Sequence, residues 1–314
     1  MANGAVAVDP VVARIRRTLV PVLGGLWLLD SFLQMQPGMF TMDMISTIMQ
    51  PTLQGQPAWL AHLIAWSIRW VSPHVGWWNW GFAGIQFVIA FLLLSGRPRA
   101  VRAGLVVSVV WGLLVWVFGE GLGGILTGSA TMLTGAPGSV VLYVWLGLVL
   151  LLPDARWSWS APYTWVRDGA AALWLLAAAA QATGGYWTGL ALSSVFQSNA
   201  SMQPAWLAGL IAPVVALAAH APVLLNALII AVMTAVGLFT LGPLARPWAF
   251  WLGWAFLAGV WVFGQGFGMI LTGMGTDPNA APLWALLMWP GYLHAVARAP
   301  ARTARSLSAA ARSA

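Results

Sequence analysis

The chain has no cysteine and no lysine, and charged residues make up only 7% of its 314 residues. The lack of cysteine excludes disulfide bonds, thiolate-bound metals, iron–sulfur clusters held by thiolates and a cysteine nucleophile. So little charge beside 60% hydrophobic residues excludes an ordinary soluble protein. The fourteen basic residues, all arginine, fall in short clusters rather than along one face, so we expect no nucleic-acid partner.

Apolar runs that approach the ~20 residues needed to cross a bilayer recur along the chain. Short polar stretches separate them, and 22 tryptophans are typical of the belts that form at membrane interfaces. Arginines precede the first apolar run at Arg14, Arg16 and Arg17. Because basic residues stay on the cytoplasmic side, we expect an integral protein of a bacterial plasma (inner) membrane with both termini cytoplasmic.

One glycine-rich motif occurs twice, as WVFGEGLGGILTG at Trp116–Gly128 and as WVFGQGFGMILTG at Trp261–Gly273. Other matches between the halves pair Pro57–Ala61 with Pro204–Ala208, Gln34 with Gln181, Gln50 with Gln197, and Asn79 with Asn226. The sequence therefore predicts an all-α polytopic membrane protein made of two fused parallel four-helix repeats. It would have about eight transmembrane helices, with interfacial helices on the outer side.

These repeats divide the chain into five expected segments. They are a cytoplasmic N-terminal segment at 1–17, a first membrane repeat at 18–152, a cytoplasmic linker at 153–168, a second membrane repeat at 169–297 and a basic cytoplasmic tail at 298–314. The tail is small, polar and basic, which is typical of disorder. Two shorter apolar stretches, 57–70 and 204–220, are expected on the outer side, the first as a helix lying in the interface and the second as an interfacial or re-entrant helix. The stretches 35–56 and 182–203 are expected to be polar connections.

The layout of each half resembles the DoxX/DoxD family, which includes the membrane subunit of thiosulfate:quinone oxidoreductase. The residues that carry the resemblance are Val20–Leu29 and Asn79–Arg102, with Gly84, Gly96 and Arg97 in the second stretch. The resemblance implies a four-helix membrane unit and a redox partnership. Family members often carry an acidic residue in the second crossing, where this chain has Gln86.

Glu120 is the strongest candidate for chemistry, because it lies among four glycines at the outer end of a predicted crossing. Glycines let backbone amides approach a ligand, and a carboxylate accepts a proton, a cation or a quinol hydroxyl. The alternative is that Glu120 only caps or brackets the turn. Gln265 takes its place in the second copy, and we count it among the candidate cofactor-binding residues.

Further candidates for cofactor binding lie at the ends of other predicted crossings. Asp30 is ionisable near the outer end of the first crossing, which is costly enough to indicate function unless it is exposed to the interface. Asn79 and Asn226 occupy matching positions, and Trp116 and Trp261 are candidates for stacking on a quinone.

Methionines cluster in the connection at 35–56, and soft thioether sulfur suits copper(I). The predicted metal ligands there are Met39, Met42 and Met44, with Asp43 among them; the alternative is that these methionines only fill an apolar loop. The histidines His74 and His220 occupy nearly equivalent places and are candidates to ligate one metal or haem iron together.

Three functions follow as hypotheses. The first is a membrane subunit of an oxidoreductase system at the outer face, handling quinone or passing electrons or sulfur equivalents to an outer-face redox protein. The second is a copper-handling or transport protein. The third is a non-catalytic structural subunit of a larger membrane complex, with partner subunits. Quinone is the cofactor that the resemblance favours, ahead of copper or haem.

Overall fold

The computed structural model describes residues 10–153 and 162–313, and within these ranges every regular element is helical. This confirms the prediction of an all-α chain. The α-helices are α1 (Pro10–Gln34), α2 (Ala58–Val71), α3 (Val75–Leu94), α4 (Pro98–Phe118), α5 (Ser139–Leu150), α6 (Pro162–Thr183), α7 (Gly189–Ala200), α8 (Ala205–His220), α9 (Pro222–Thr240), α10 (Pro247–Gly259) and α11 (Ala280–Ser313).

Within the described residues, four helical stretches are long and apolar enough to cross a membrane. They are Ala58–Leu94, in which α2 and α3 run on from one another, Pro98–Phe118, Pro222–Thr240 and Pro247–Thr272. The helices Ser139–Leu150 and Ala205–His220 are apolar but shorter. Since a helix needs ~20 apolar residues to span the hydrocarbon core, the four long stretches indicate a membrane protein.

Proline sets the start of several of these helices. Pro98 follows Arg97 at the start of α4, and Pro247 follows Arg246 at the start of α10. Both arginines have extended backbone dihedrals, which is the conformation that a following proline favours. Proline costs nothing at a first helical position, because the N–H it lacks has no partner in the helix.

The helices pack in the same order in the two halves of the chain. In the first half α1 packs on α3, α3 on α4 and α4 on α5; in the second, α6 packs on α9, α9 on α10 and α10 on α11. The halves meet where α5, of the first half, contacts α11 and α6, of the second. One continuous apolar core results, and its largest fully buried side chains include Trp27, Tyr143, Trp174 and Trp284.

Aromatic pairs lie at corresponding places in this core. The rings of Trp27 and Tyr143 meet edge to face with centroids 5.0 Å apart. Those of Trp174 and Trp284 meet in the same way at 5.5 Å. Such pairs stabilise a core beyond the area they bury.

The helices extend further than the sequence predicts at three places. Helix α1 begins at Pro10, inside the expected N-terminal segment, and α6 begins at Pro162, inside the expected linker, of which 154–161 lie outside the described residues. Helix α11 continues to Ser313 through the tail expected to be disordered. Alanine and arginine, which fill much of that tail, both have high helix propensity.

A fourth difference is α7, which occupies the stretch expected to be a polar connection. The Thr188 side chain caps it by accepting a hydrogen bond from the Ala191 N–H at 3.3 Å. Leu192, Val195 and Phe196 are buried, and their i, i+3, i+4 spacing places them on one face. The stretch 35–56 likewise contains short 3-10 and π-helical turns rather than an irregular loop.

Candidate functional site

Glu120 follows the last turn of α4 and caps the first turn of α5. Its Oε1 accepts hydrogen bonds from the Ser139 hydroxyl at 2.6 Å, the Ser139 N–H at 3.1 Å and the Val140 N–H at 3.2 Å. The first amides of a helix have no partner within the helix, and they carry its positive end. A carboxylate oxygen is therefore held firmly at this position, as the capping alternative predicts.

Glycines let the loop close over this carboxylate. Gly138 has φ +105, and a Cβ there would lie 2.2 Å from Glu120 Oε2. Gly123 has φ +60, and a Cβ there would lie 1.8 Å from the carbonyl oxygen of Pro137. That carbonyl also accepts a hydrogen bond of 2.8 Å from the Trp116 indole. Trp116 thus ties the end of α4 to the loop that precedes α5.

Only one of the two Glu120 carboxylate oxygens is engaged. Glu120 as a residue is partly exposed, but its Oε2 is fully buried and has no hydrogen-bond partner among the described residues. Burial, followed by the negative charge of Asp277, raises the pKa of Glu120 from its ordinary 4.5 to about 8, although the hydrogen bonds from Ser139 and Val140 oppose this. Glu120 is therefore a carboxyl group that binds a proton near neutral pH.

Asp277 reaches this place from the second glycine-rich loop. Its Oδ1 accepts from the Asn279 N–H at 2.7 Å, and its Oδ2 accepts from the Thr276 hydroxyl at 3.0 Å. Burial raises the pKa of Asp277, and hydrogen bonds from Ser139, Asn279 and Thr276 oppose the rise. The Ser139 side chain, which donates to Glu120, therefore also lies close to the Asp277 carboxylate.

A third carboxylate, Asp30, lies deeper, in α1. Its side chain is only 2% exposed, so the alternative that it faces the interface is wrong. Asp30 Oδ1 accepts a hydrogen bond of 3.4 Å from the hydroxyl of Tyr143, which is fully buried. Asp30 lies within electrostatic reach of Asp277 and Glu120. The structure thus gathers three acids, one tyrosine and one serine into a single cluster.

Gln265 makes the equivalent cap in the second half, without a charge. Its Oε1 accepts from the Ala281 N–H at 3.0 Å, and its Nε2 donates to the Met132 carbonyl at 3.0 Å. Trp261 donates to the Pro278 carbonyl at 2.8 Å, as Trp116 does to Pro137. A neutral amide therefore suffices to cap the helix at this position.

The predicted cofactor-binding asparagines are buried scaffold residues. Asn79 accepts from Gln34 Nε2 at 2.6 Å and donates to the Gln34 carbonyl at 2.8 Å. Asn226 accepts from Gln181 Nε2 at 2.7 Å. Both asparagines are 0% exposed, so each ties two helices together rather than facing a ligand.

The predicted copper ligands point in different directions. Met39 and Met44 lie in a small apolar cluster with Ile45, Val71 and neighbouring side chains, whereas Met42 is 54% exposed and Asp43 is also exposed. Spacing along the chain does not distinguish these orientations, because the segment is built from short turns of different pitch. Burial of Met39 and Met44 in this packing removes them from any surface metal site.

The two predicted metal-binding histidines are both exposed. His74 lines an open surface pocket of about 580 Å³ together with Met42, Phe40 and Trp80. His220 ends α8, where its Nδ1 lies 2.7 Å from the Ala216 carbonyl of the same helix. In the ranges the structure covers, no group of three or more His, Cys, Asp or Glu side chains is placed to hold a metal ion.

Sequence reasoning missed three members of the carboxylate cluster. Asp277, Ser139 and Tyr143 were not singled out, although Asp277 begins Asp-Pro-Asn immediately before a helix, a pattern typical of a helix start. Contact between the two loops was not visible in the sequence. No family model, no curated protein and no solved structure matches the chain, so its function is inferred from this geometry.

Proposed function

We propose that the chain is the membrane subunit of a quinone-linked oxidoreductase system, in which Glu120 accepts a proton released at the outer face. The observation that carries this proposal is the buried, unengaged Oε2 of Glu120 beside Asp277. Oxidation of a quinol releases two protons and two electrons. Glu120 takes one proton, water at the outer face takes the other, and the two electrons reduce an outer-face redox protein.

The carboxyl group of Glu120 suits this role in two ways. A proton acceptor works best when its pKa lies near the working pH, and Glu120 has a pKa of about 8. The loop that carries it follows the candidate span Pro98–Phe118 rather than lying within it. A proton taken up there is near the end of a membrane crossing.

The proposal includes eight crossings arranged as two fused repeats of a DoxX/DoxD-like unit. Matching contacts support it: Gln34 pairs with Asn79 as Gln181 pairs with Asn226, and both motif tryptophans bond to the carbonyl of a proline.

The natural absence of cysteine makes single-cysteine labelling direct. We expect a membrane-impermeant maleimide to label Ser129→Cys from outside and Arg99→Cys only from the cytoplasmic side. The reverse pattern would overturn this orientation.

The test of the function is quinol-dependent electron transfer in membranes that carry the Glu120→Gln variant. An amide keeps the hydrogen-bond acceptor that caps α5, as Gln265 does for α11, but it cannot take up a proton. We expect turnover to fall by ~10²-fold or more while the yield of folded protein stays the same. Gln265→Ala, which alters the other cap, is the matched control. Full turnover in Glu120→Gln would remove the proposed role.

A second candidate function is copper handling, because Met42 and His74 line the same pocket. Thioether and imidazole groups both bind copper(I). Competition with a chromophoric copper(I) chelator measures the affinity of purified protein. We expect Met42→Leu and His74→Ala to weaken binding at least tenfold, and Met35→Leu and His62→Ala, which lie outside the pocket, to leave it unchanged. Equal affinities in all five proteins would exclude the pocket as a copper site.

A further inference from the structure

At four buried or partly buried positions the first half of the chain has an ionisable or hydroxyl-bearing residue and the second half does not. Three of the differences replace an ionisable residue of the first half: Glu120 is replaced by Gln265, Asp30 by Ala177 and Tyr143 by Trp284. The fourth replaces a hydroxyl, Ser139, by Ala280. The correspondence follows the structure, since Ser139 and Ala280 each begin a helix two residues after the proline whose carbonyl binds the motif tryptophan.

Capping does not account for this difference. Gln265 caps α11 with an uncharged amide, and at the positions of Tyr143 and Asp30 the second half has Trp284 in the apolar core and Ala177 packed against it. Burying carboxylates is costly, yet the first half places Asp30 in its core and Glu120 beside it. Asp277, from the loop of the second half, adds a third acid to the same place. The three acids therefore lie together at a place where the fold itself does not require acidic residues.

Helix α5 supplies the hydroxyls between these acids. Ser139 and Tyr143 are four residues apart, so they lie on one face of α5 and ~6 Å apart along its axis. The Ser139 hydroxyl contacts Glu120 at 2.6 Å and its side chain reaches Asp277. The Tyr143 hydroxyl donates to Asp30 at 3.4 Å and lies within electrostatic reach of Asp277. Hydroxyls and carboxylates thus alternate from the loop into the bundle.

We propose that Glu120, Ser139, Asp277, Tyr143 and Asp30 form a proton relay that leads from the glycine-rich loop to the interior of the helix bundle. The relay rests on the proposed function, because Glu120 is its entrance. In the first step protonated Glu120 gives its proton to the carboxylate of Asp277, either directly from Oε2 or through Ser139, which releases one proton as it receives another. Glu120 becomes negative and Asp277 neutral.

The second step moves the same proton inward. Asp277 passes it towards the Tyr143 hydroxyl, which gives its own proton to the Asp30 carboxylate as it receives the new one. Asp30 becomes neutral, Asp277 regains its charge, and Tyr143 is unchanged. The net result is that one proton moves from Glu120 to Asp30 and one negative charge moves the opposite way. No oxidant or reductant takes part in either step.

The relay is tested by infrared spectroscopy of purified protein after a jump in pH, with the proton as the only probe. The carboxyl C=O band that disappears in Asp30→Asn reports protonation of Asp30. We expect Tyr143→Phe and Glu120→Gln each to slow the rise of this band at least tenfold. Tyr186→Phe alters a tyrosine that is not a member of the relay and whose hydroxyl donates to the Ser129 carbonyl, and we expect it to leave the rate unchanged. Equal rates in all variants, or no Asp30 band that responds to pH, would overturn the relay.

A double variant covers the case in which single replacements fail to fold. Asp30→Ala with Tyr143→Trp copies Ala177 and Trp284, the residues that the second half has at these positions in and against the apolar core. We expect it to fold and to lose the C=O band assigned to Asp30 while Glu120 still titrates; the same band with the same rate of rise in this variant would also overturn the relay. Because no quinol is used, the test of the relay can fail independently of the test of the proposed function. If Glu120→Gln abolishes turnover but the Asp30 band ignores Tyr143→Phe, the proposed function stands and the relay fails.

Discussion

The indole Nε1 of Trp27 donates a hydrogen bond of 2.8 Å to the hydroxyl of Ser108, and this bond joins α1 to α4 inside the core. The corresponding indole of Trp174 has no partner among the described residues. Gly253 lies in α10 where Ser108 lies in α4, and the Met288 side chain fills the space that a Cβ of Gly253 would need. At matching positions the first half thus has a buried hydrogen bond, and the second half has apolar packing by Met288.

We expect Ser108→Ala to lower the free energy of unfolding by about 1–3 kcal/mol, because it leaves the buried N–H of Trp27 without an acceptor. Denaturant unfolding in detergent measures this loss. Ser194→Ala, at an exposed helix position, serves as the control. In a Trp27→Phe background the cost of Ser108→Ala should largely disappear. An unchanged cost in that background would show that the hydrogen bond is not its source.

The stability of the protein should fall as the pH rises from about 4.5 to about 8. Glu120 has a pKa of about 8 in the fold against an ordinary 4.5, so between these values the folded state binds more protons than the unfolded state. Stability then decreases with pH, and the raised pKa of Asp277 acts in the same direction. We expect Tm in detergent to drop by several degrees over this range and Glu120→Gln to flatten the slope. An equally steep slope in the variant would contradict this.

The sequence allowed the helical fold and most helix positions to be predicted, because these depend on local patterns. The apolar stretches expected at 57–70 and 204–220 correspond to α2 at Ala58–Val71 and α8 at Ala205–His220. Helix α7 was missed because its sequence mixes serine and asparagine with only a few apolar residues.

The carboxylate cluster was predicted only in part, because it depends on contacts between distant segments. Glu120 was identified from its glycine-rich surroundings, and Asp30 from its charge within an apolar run. Asp277 was not, since nothing local shows that its loop packs against the start of α5. The orientation of the methionines could not be predicted for a related reason: spacing along the chain does not reveal that Met39 faces the core and Met42 the surface.

Glycine at position 123 should be nearly irreplaceable. A Cβ there would lie 1.8 Å from the Pro137 carbonyl, which is backbone and cannot move cheaply, and the residue has φ +60. Gly128 lies in the same loop with φ +75 but has nothing within 4 Å of an added Cβ. We expect Gly128→Ala to cost about 1–2 kcal/mol from backbone strain alone, and Gly123→Ala to cost clearly more or to prevent folding. The yield of folded protein in size-exclusion chromatography and the Tm are measured for both variants. Equal losses would mean that the contact with Pro137 is not tight.

The two buried amide pairs should differ in strength although they occupy matching positions. Asn79 both accepts from and donates to Gln34, whereas Asn226 accepts from Gln181 but its own Nδ2 has no partner in the described part of the chain. Removing Asn79 therefore breaks two buried hydrogen bonds. Removing Asn226 breaks one hydrogen bond and also removes a buried donor that was already unsatisfied, which offsets part of the loss.

We expect Asn79→Ala to lower the free energy of unfolding by at least ~1 kcal/mol more than Asn226→Ala. Denaturant unfolding of both variants in one detergent measures the difference, and the opposite order would show that packing, rather than hydrogen bonding, decides the stability at these positions.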